Sequence, residues 1–445
     1  MQTGSGLASQ PHAPMSEIGF DPADAKAALA QLPQTAAVFA LYGADQHAEP
    51  YIGRTPNLRG RLERLLQPSA RHPKRLQLAG RVRRIAWQIT GSEFESLLLQ
   101  FDLLQKLYGT KCLERMHLRA PAFVRFLGSN AYPRVVVTHR PSQREADWAY
   151  GPFPSRAAAE RYVDEALKLF LLRRCTDDLN PDPKFPGCVY SEMKMCLAPC
   201  YKGCTDERYG EESAAVESFL ATRGESRLIT LKAQREQASA DLKFETAAAI
   251  HAQVQKVESV RALAAELVRP MSRLRAMILQ QAANPGEVAV FLYENGLLRG
   301  PAVFSTAGMR IQNEQSGSTS LFAQPMALEP VVEEQGIGNR EQGIERQGLG
   351  ASDLETKAVA KAHRTMLETR LEELLAALAA SQPAPSATVR QGHLALLKRW
   401  YYRPEAKRAG EIFFPDADDR WPIRSILRGI GRVAAKAIAL AQANV

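Results

Sequence analysis

"PYIGRTPNLRGRLERLL", residues Pro50 to Leu66, decides how this chain is read. A Tyr-Ile-Gly turn ends a short strand and leads into a segment with Leu58, Leu62, Leu65 and Leu66 at helical spacing. Arg59, Arg61 and Arg64 occupy positions between those leucines. From Arg54 to Arg84 there are ten Lys or Arg and one acid, Glu63. Such a one-sided run is an electrostatic footprint for phosphates. An isolated run would equally be a solvated surface; its place directly after the turn favours phosphate contact.

Working outward, residues 35–110 read as a small α/β unit. "AAVFALYG" is a strand, Tyr42 to Pro50 a hairpin connection, "RRIAWQIT" a third strand and "EFESLLLQFDLLQKLY" a helix. Further on, "AYPRVVVTH" is a strand and "YGPFPSRAAAERYVDEALKLF" a turn into an amphipathic helix. Residues 205–283 are nearly all helix formers. "GEVAVFLYENGLLRGPAVFS" is a β-hairpin turning at Asn295-Gly296. The stretch 313–350 is poor in hydrophobics, holds the local repeat "EQGIGNREQGIERQG", and reads as a disordered linker. A long helix over 353–381 follows, with Leu367, Leu371, Leu374, Leu375 and Leu378 on one face.

The bulk numbers set bounds. The chain has 445 residues, enough for two to four domains, and a net charge of +9 from 57 Lys plus Arg against 48 Asp plus Glu. A mild basic excess fits a polyanionic partner without proving one. No run of eighteen apolar residues exists, which excludes a membrane-spanning helix. The first twenty residues lack a charged-then-apolar signal pattern, so a disordered leader and a cytoplasmic protein are expected. Six cysteines in so long a chain are no secreted disulfide framework, yet five fall between 175 and 204.

The segment around Tyr51 resembles the GIY-YIG nuclease domain found at the N-terminus of excinucleases of the UvrC family. In that pattern a Gly-(Ile/Val)-Tyr triplet precedes Tyr-Ile-Gly, a basic residue, a helix with an Arg, a Glu on a later helix and then an Asn. The family cuts a DNA strand with one divalent cation, Mg or Mn, held by that Glu. Tyr51, Ile52 and Gly53 stand at the second triplet, Arg54 at the basic position and Arg61 at the helix arginine. The first triplet is Ala37-Val38-Phe39, so Phe39 lacks the tyrosine hydroxyl. Gln100 stands where the metal-binding Glu belongs, and Pro121-Ala122-Phe123-Val124 lacks the amide. The resemblance assigns catalytic positions to Tyr51, Arg54, Arg61, Gln100 and Phe39, the last two degenerate, and DNA contacts to Arg59, Arg64 and Arg84.

Gln100 matters because a hard cation such as Mg²⁺ wants anionic oxygen. The ion lowers the pKa of the attacking water and offsets phosphoryl charge. An amide supplies geometry without charge. Helix neighbours three or four residues away are Ser96, Leu97, Leu103 and Leu104, none acidic. Glu93 is two turns back, roughly 10 Å along the axis, and Glu95 and Asp102 point elsewhere. What remains favours holding a strand; what is missing is the catalytic half.

Short-spaced thiols in a reducing compartment mean metal more often than disulfide. Zinc and an iron–sulfur cluster suit four thiolates equally, and the spacing of Cys175, Cys188, Cys196, Cys200 and Cys204 does not choose. "YGPFPS", "LRRC" and "CLAPC" are similar to the cysteine-rich segment of the UvrC family. That resemblance implies a [4Fe–4S] cluster on Cys175, Cys188, Cys196 and Cys200, with Cys204 extra.

"LKFETAAAIHAQ" resembles the UVR motif, a helical hairpin through which UvrB and UvrC proteins meet. Phe244, Glu245, Ala247 and Ala248 match, and Phe244, Glu245 and Ala248 are the implied partner contacts. A ribonuclease-H-like domain should follow in this family. Only its first hairpin is recognisable, and the Asp-Ile-Ser-His signature is absent. In the tail, Trp400, Tyr401 and Tyr402 among bases suit either base stacking or core packing. Gly429-Ile430-Gly431 resembles one helix–hairpin–helix motif between two short helices.

The expected architecture is multidomain α+β. A disordered leader (1–32) precedes a small α/β GIY-YIG-like domain (33–125), a cysteine-rich segment (126–222) and a UVR helical hairpin (223–268). A remnant β-hairpin region (269–312), a disordered linker (313–352) and a helical, basic and aromatic C-terminal region (353–445) complete it. The expected function is a UvrC-like DNA-binding protein of nucleotide excision repair with an impaired nuclease centre. The alternatives are an active single-strand nuclease and a UvrB-binding adaptor. The expected partners are DNA and a UvrB-like protein.

Overall fold

The structure is a computed structural model and describes residues 15–45, 47–67, 78–177, 179–307, 309, 351–380 and 384–443. The expected linker over 313–350 and the bases Arg71, Lys74 and Arg75 lie outside the described residues.

The first unit contains β1 (Ser16–Gly19), α1 (Ala25–Ala30), β2 (Ala37–Gly43), β3 (Tyr51–Thr55), α2 (Leu58–Leu66), β4 (Val82–Ile89), α3 (Glu93–Tyr108) and the short α4 (Cys112–Arg115). Its antiparallel sheet has the order β1-β4-β2-β3. Helix α2 starts at Asn57, whose side chain accepts from the Gly60 N–H, and buries the four leucines picked out by spacing. The expected leader (1–32) is corrected over residues 15–32; residues 1–14 lie outside the described residues. Residues 15–32 are part of this unit: β1 pairs with β4, and Phe20, Leu29 and Leu32 are buried in its core. Those three apolar residues are spaced too widely to announce themselves, but the sheet edge gives them somewhere to go.

The second unit runs from β5 (Ala122–Phe126), β6 (Val135–Thr138) and β7 (Ala149–Phe153) through α5 (Arg156–Leu167), α6 (Val189–Glu192) and α7 (Asp206–Ala221). The hairpin of α8 (Glu225–Ala240) and α9 (Phe244–Ala262) follows, then β8 (Arg269–Pro270). Its sheet has the order β6-β5-β7-β8. Two boundaries shift. Strand β5 belongs here rather than to the first unit, and the hairpin is not separate. Leu228, Leu231, Val254, Val257 and Val260 share one core with Tyr150, Phe153 and Phe219. An alanine-rich hairpin buries too little alone, so its base docks.

The third unit joins β9 (Ala276–Gln281), β10 (Glu287–Glu294) and β11 (Leu297–Ser305) to α10 (Ala351–Ala379), α11 (Ala387–Tyr401), β12 (Glu411–Phe413) and α12 (Ile423–Ala443). The sheet order is β11-β10-β9-β12. Asn295 and Gly296 both have positive φ, 53° and 79°, which makes the expected two-residue hairpin turn. The remnant hairpin and the C-terminal region are thus one domain. The helix–hairpin–helix reading is overturned, because Gly429-Ile430-Gly431 lies inside the continuous helix α12. A Cβ on Gly429 would meet the Phe413 ring at 2.5 Å, so this glycine serves close packing of helix on strand. Trp400 is buried, which settles it as core, and its indole N–H donates to the Ala409 carbonyl at 3.0 Å.

Helix α3 is the hinge of the whole arrangement. Consecutive Leu97, Leu98 and Leu99 put apolar side chains on more than one face of its middle turn, and all three are buried. Phe94 packs edge-on to Phe291 of β10 at 5.1 Å and against Trp400 of α11 at 5.5 Å. One cluster therefore runs through Phe101, Phe123, Phe291 and Trp400, from all three units.

Candidate functional site

On the surface of the first unit lies an open cleft of ≈ 470 Å³. Strands β2 and β3 place Phe39, Tyr51, Gly53 and Arg54 on it, α2 places Arg61, and α3 places Gln100. All five positions named from sequence for chemistry are brought together. Phe39 and Gly53 are cross-strand partners. A Cβ on Gly53 would sit 2.7 Å from the Phe39 ring, so the glycine of Tyr-Ile-Gly is fixed by the aromatic opposite it. Tyr51 stands at the exposed lip, its ring 6.1 Å from that of Phe39.

Two further arginines line the cleft, and the sequence did not single them out. Arg115 comes from α4 and Arg399 from α11 of the third unit. Arg115 is braced, its guanidinium 3.7 Å from the centre of the Tyr108 ring and 3.1 Å from Glu49. For Arg399 the only signal was the basic run around Trp400, which says nothing of where it points.

The cleft is thus lined by four guanidinium groups and, among the described residues, by no carboxylate. Glu93 of the same helix does not line the cleft and is committed to arginines. It accepts two hydrogen bonds from Arg403, both at 2.8 Å, and one from Arg54 at 3.3 Å. Those bonds, with Arg403 foremost, hold its carboxyl at about 2 against an ordinary 4.5. Glu95 is buried and accepts from the Gly91 N–H. No group of three or more Cys, His, Asp or Glu among the described residues is placed to hold a metal ion. Four guanidinium groups repel a divalent cation and attract phosphate oxygen, which they meet in bidentate fashion.

Arg59, Arg64 and Arg84 do not line this cleft. Arg59 donates from Nε to the Leu32 carbonyl at 2.7 Å, and Arg64 to Gly60 of its own helix. Arg84 pairs with Glu17 at 2.8 Å and covers the Tyr42 ring.

The thiols divide into four and one. Cys196 feels Cys188, Cys200 and Cys175, each raising its pKa after the larger effect of burial, whereas Cys204 answers instead to burial, Asp206 and Arg208. The buried Arg173 donates to Cys175 Sγ at 3.5 Å and to the Asp177 carbonyl at 2.8 Å. Four soft donors beside a buried cation fit a thiolate-bound metal in kind and number; they are not drawn to a common point.

At the far end of α8–α9, Leu242 and Phe244 are 73% and 64% exposed. Glu245 and Ala248 are exposed beside them. Leu242 has φ +58°, a left-handed position that a glycine usually fills.

These features define a multidomain α+β protein whose small N-terminal unit carries a cationic cleft and whose second unit carries a thiol cluster. The chain is UvrC-like: residues 123–219 match the family described as UvrC/Cho excinuclease, middle domain. It is 30% identical to UvrABC system protein C of Alcanivorax borkumensis over 47% of this chain and 34% of that protein. The protein of the same name from Aliivibrio fischeri is 30% identical over 54% of this chain and 39% of its own length. That of Aliivibrio salmonicida is 28% identical over 62% and 43%. The matches span between a third and a half of those relatives. No solved structure matches. No helix among the described residues is long and apolar enough to cross a membrane.

Proposed function

We propose that this protein binds DNA in nucleotide excision repair, grips a strand through its arginine cleft, and cleaves it poorly or not at all. The observation that carries this is Gln100 in a cleft lined by Arg54, Arg61, Arg115 and Arg399 without a carboxylate. Such a wall holds the phosphate of a substrate but gives no anionic anchor to the ion that would activate water. Mg or Mn would therefore stay in bulk solvent at ordinary concentrations.

Cys175, Cys188, Cys196 and Cys200 hold a [4Fe–4S] cluster, or zinc, in this reading. Cys204 is the spare thiol. The group would staple a loop-rich segment, and the Arg173 guanidinium would offset the negative charge of the thiolates. Phe244, Glu245 and Ala248 at the hairpin tip dock a UvrB-like protein. The exposed Leu242 and Phe244 also support an adaptor reading, in which that contact is the main task.

The deciding experiment is a nicking assay on damaged duplex with Mg²⁺ or Mn²⁺, beside a salt titration of duplex binding. Salt-sensitive binding without nicking is expected. Robust metal-dependent nicking, abolished by Tyr51→Phe, overturns the impaired-centre reading. Binding indifferent to salt and to loss of Arg54 and Arg61 leaves only the adaptor.

A further inference from the structure

A second cleft, of ≈ 460 Å³, opens where the second and third units meet and shares no lining residue with the arginine cleft. Its volume lies within the ~300–1,000 Å³ typical of small-molecule sites. Phe123, Met271, Tyr293 and Leu394 give it apolar and aromatic surface. Gln143 and Gln391 add side-chain amides. Arg140 and Arg390 are its charged residues, and among the described residues no acid lines it.

Three details point to an anionic ligand with a polar planar part. Tyr293 is 3% exposed as a residue and lines the cleft, where its phenol can give or take a hydrogen bond. His139, also on the cleft wall, sets its Nδ1 against the carbonyls of Ala120 and Pro121 at 3.2 and 3.1 Å, which fixes the ring with a hydrogen on Nδ1. Helix α11, fifteen residues long, begins at Ala387 on the cleft wall. Its cap Ser386 takes only the Val389 N–H, which leaves first-turn N–H groups and the positive end of the helix facing that side.

We propose that this cleft binds a nucleoside phosphate unit, with the base on the Phe123–Tyr293 side and the phosphate toward Arg140, Arg390 and the start of α11. The amides and the tyrosine hydroxyl read the polar edge of the base, as sites for an unstacked nucleotide do. The same chemistry is offered by a free nucleotide and by a base swung out of a strand. Arg390 is positioned for this by its own packing: it donates to the Pro385 carbonyl at 2.6 Å and lies against Gly296 of the β10–β11 turn.

The test uses the full chain and the fluorescent base 2-aminopurine, presented as a free 5′-monophosphate and inside a single strand. Saturable quenching in one arm at least is expected, and which arm responds identifies the source. The double variant Arg140→Ala/Arg390→Ala should weaken it about tenfold, the scale of a lost charged hydrogen bond. Gln391→Ala, an exposed change that spares the fold, should weaken it severalfold. Arg61→Ala in the arginine cleft should leave the free-nucleotide arm unchanged and lower duplex binding. No quenching in either arm overturns the proposal, as does quenching that ignores both cleft variants. Either result leaves duplex binding through the arginine cleft standing, which Arg61→Ala reports separately.

Discussion

Glu93 and Arg403 lie 310 positions apart in sequence and meet through two parallel hydrogen bonds of 2.8 Å. The pair ties the start of α3 to the segment after α11, and so fastens the first unit to the third. The same carboxylate takes Arg54 at 3.3 Å, so a residue of the cleft is tethered by a residue that the cleft does not contain.

This arrangement predicts an acid-sensitive step in stability. Glu93 is held at about 2 in the folded chain against 4.5 unperturbed. A depressed carboxyl stabilises the fold above its unfolded pKa, and that contribution is lost as pH falls from about 4.5 toward 2. The side chain is 47% exposed, so solvent screening leaves about 1 kcal/mol of it. Urea unfolding of wild type and Glu93→Gln should differ by that amount at pH 6 and converge near pH 2. Glu93→Gln should also release Arg54 and raise duplex affinity at low salt. A difference that persists unchanged at pH 2 defeats the assignment.

Arg399 should matter to binding as much as Arg61. If each faces one phosphate, Arg399→Ala lowers the slope of log affinity against log salt by about 0.9 on duplex DNA, or about 0.7 on a single strand. Arg59→Ala should leave that slope alone, because its Nε is committed to the Leu32 carbonyl. Fluorescence anisotropy between 50 and 200 mM salt, roughly the range over which such slopes are read, checks both. Equal slopes for wild type and Arg399→Ala would remove α11 from the interface.

Much of this was legible locally. The leucines of α2 and the Asn295-Gly296 turn are set by short-range periodicity and by backbone conformation, which a sequence displays directly. The residues of the cleft were legible because Tyr51, Arg54 and Arg61 sit close together in the chain. What failed was tertiary. Strand β12 has three residues and exists only because β9 offers an edge. Gly429 could signal a turn or a close approach, and only the Phe413 ring decides for the latter. Arg115 and Arg399 reach the cleft from separate elements, and no local pattern announces a destination that far away.

Gln100→Glu tests whether the cleft kept the rest of a nuclease centre. The new carboxylate would share the cleft with Arg54, Arg61, Arg115 and Arg399, and pairing with one of them would compete with a metal. Nicking should therefore appear first with Mn²⁺ at millimolar concentration and remain slow, since Phe39 offers no hydroxyl. A gain of at least tenfold over wild type in a single-turnover assay is expected, about 1.4 kcal/mol of barrier. No gain with either ion, in a protein that still binds duplex, means the catalytic geometry has gone as well as the ligand.

The hairpin tip makes the final prediction. Leu242 holds φ +58° just after α8, where an L-residue is strained by about 1 kcal/mol and glycine is not. Its N–H still bonds back to the Ser239 carbonyl at 3.0 Å and that of Lys243 to Ala238 at 2.9 Å, so the turn closes despite the cost. A side chain 73% exposed at such a position gains the fold nothing by burial. Leu242→Gly should raise thermal stability slightly or leave it unchanged, because relieved strain outweighs glycine's extra freedom in the unfolded chain. Binding to a UvrB-like protein should fall severalfold in the same variant, as it should for Phe244→Ala. If Leu242→Gly destabilises the chain and leaves partner binding intact, the leucine is a structural residue and the tip is not the docking surface.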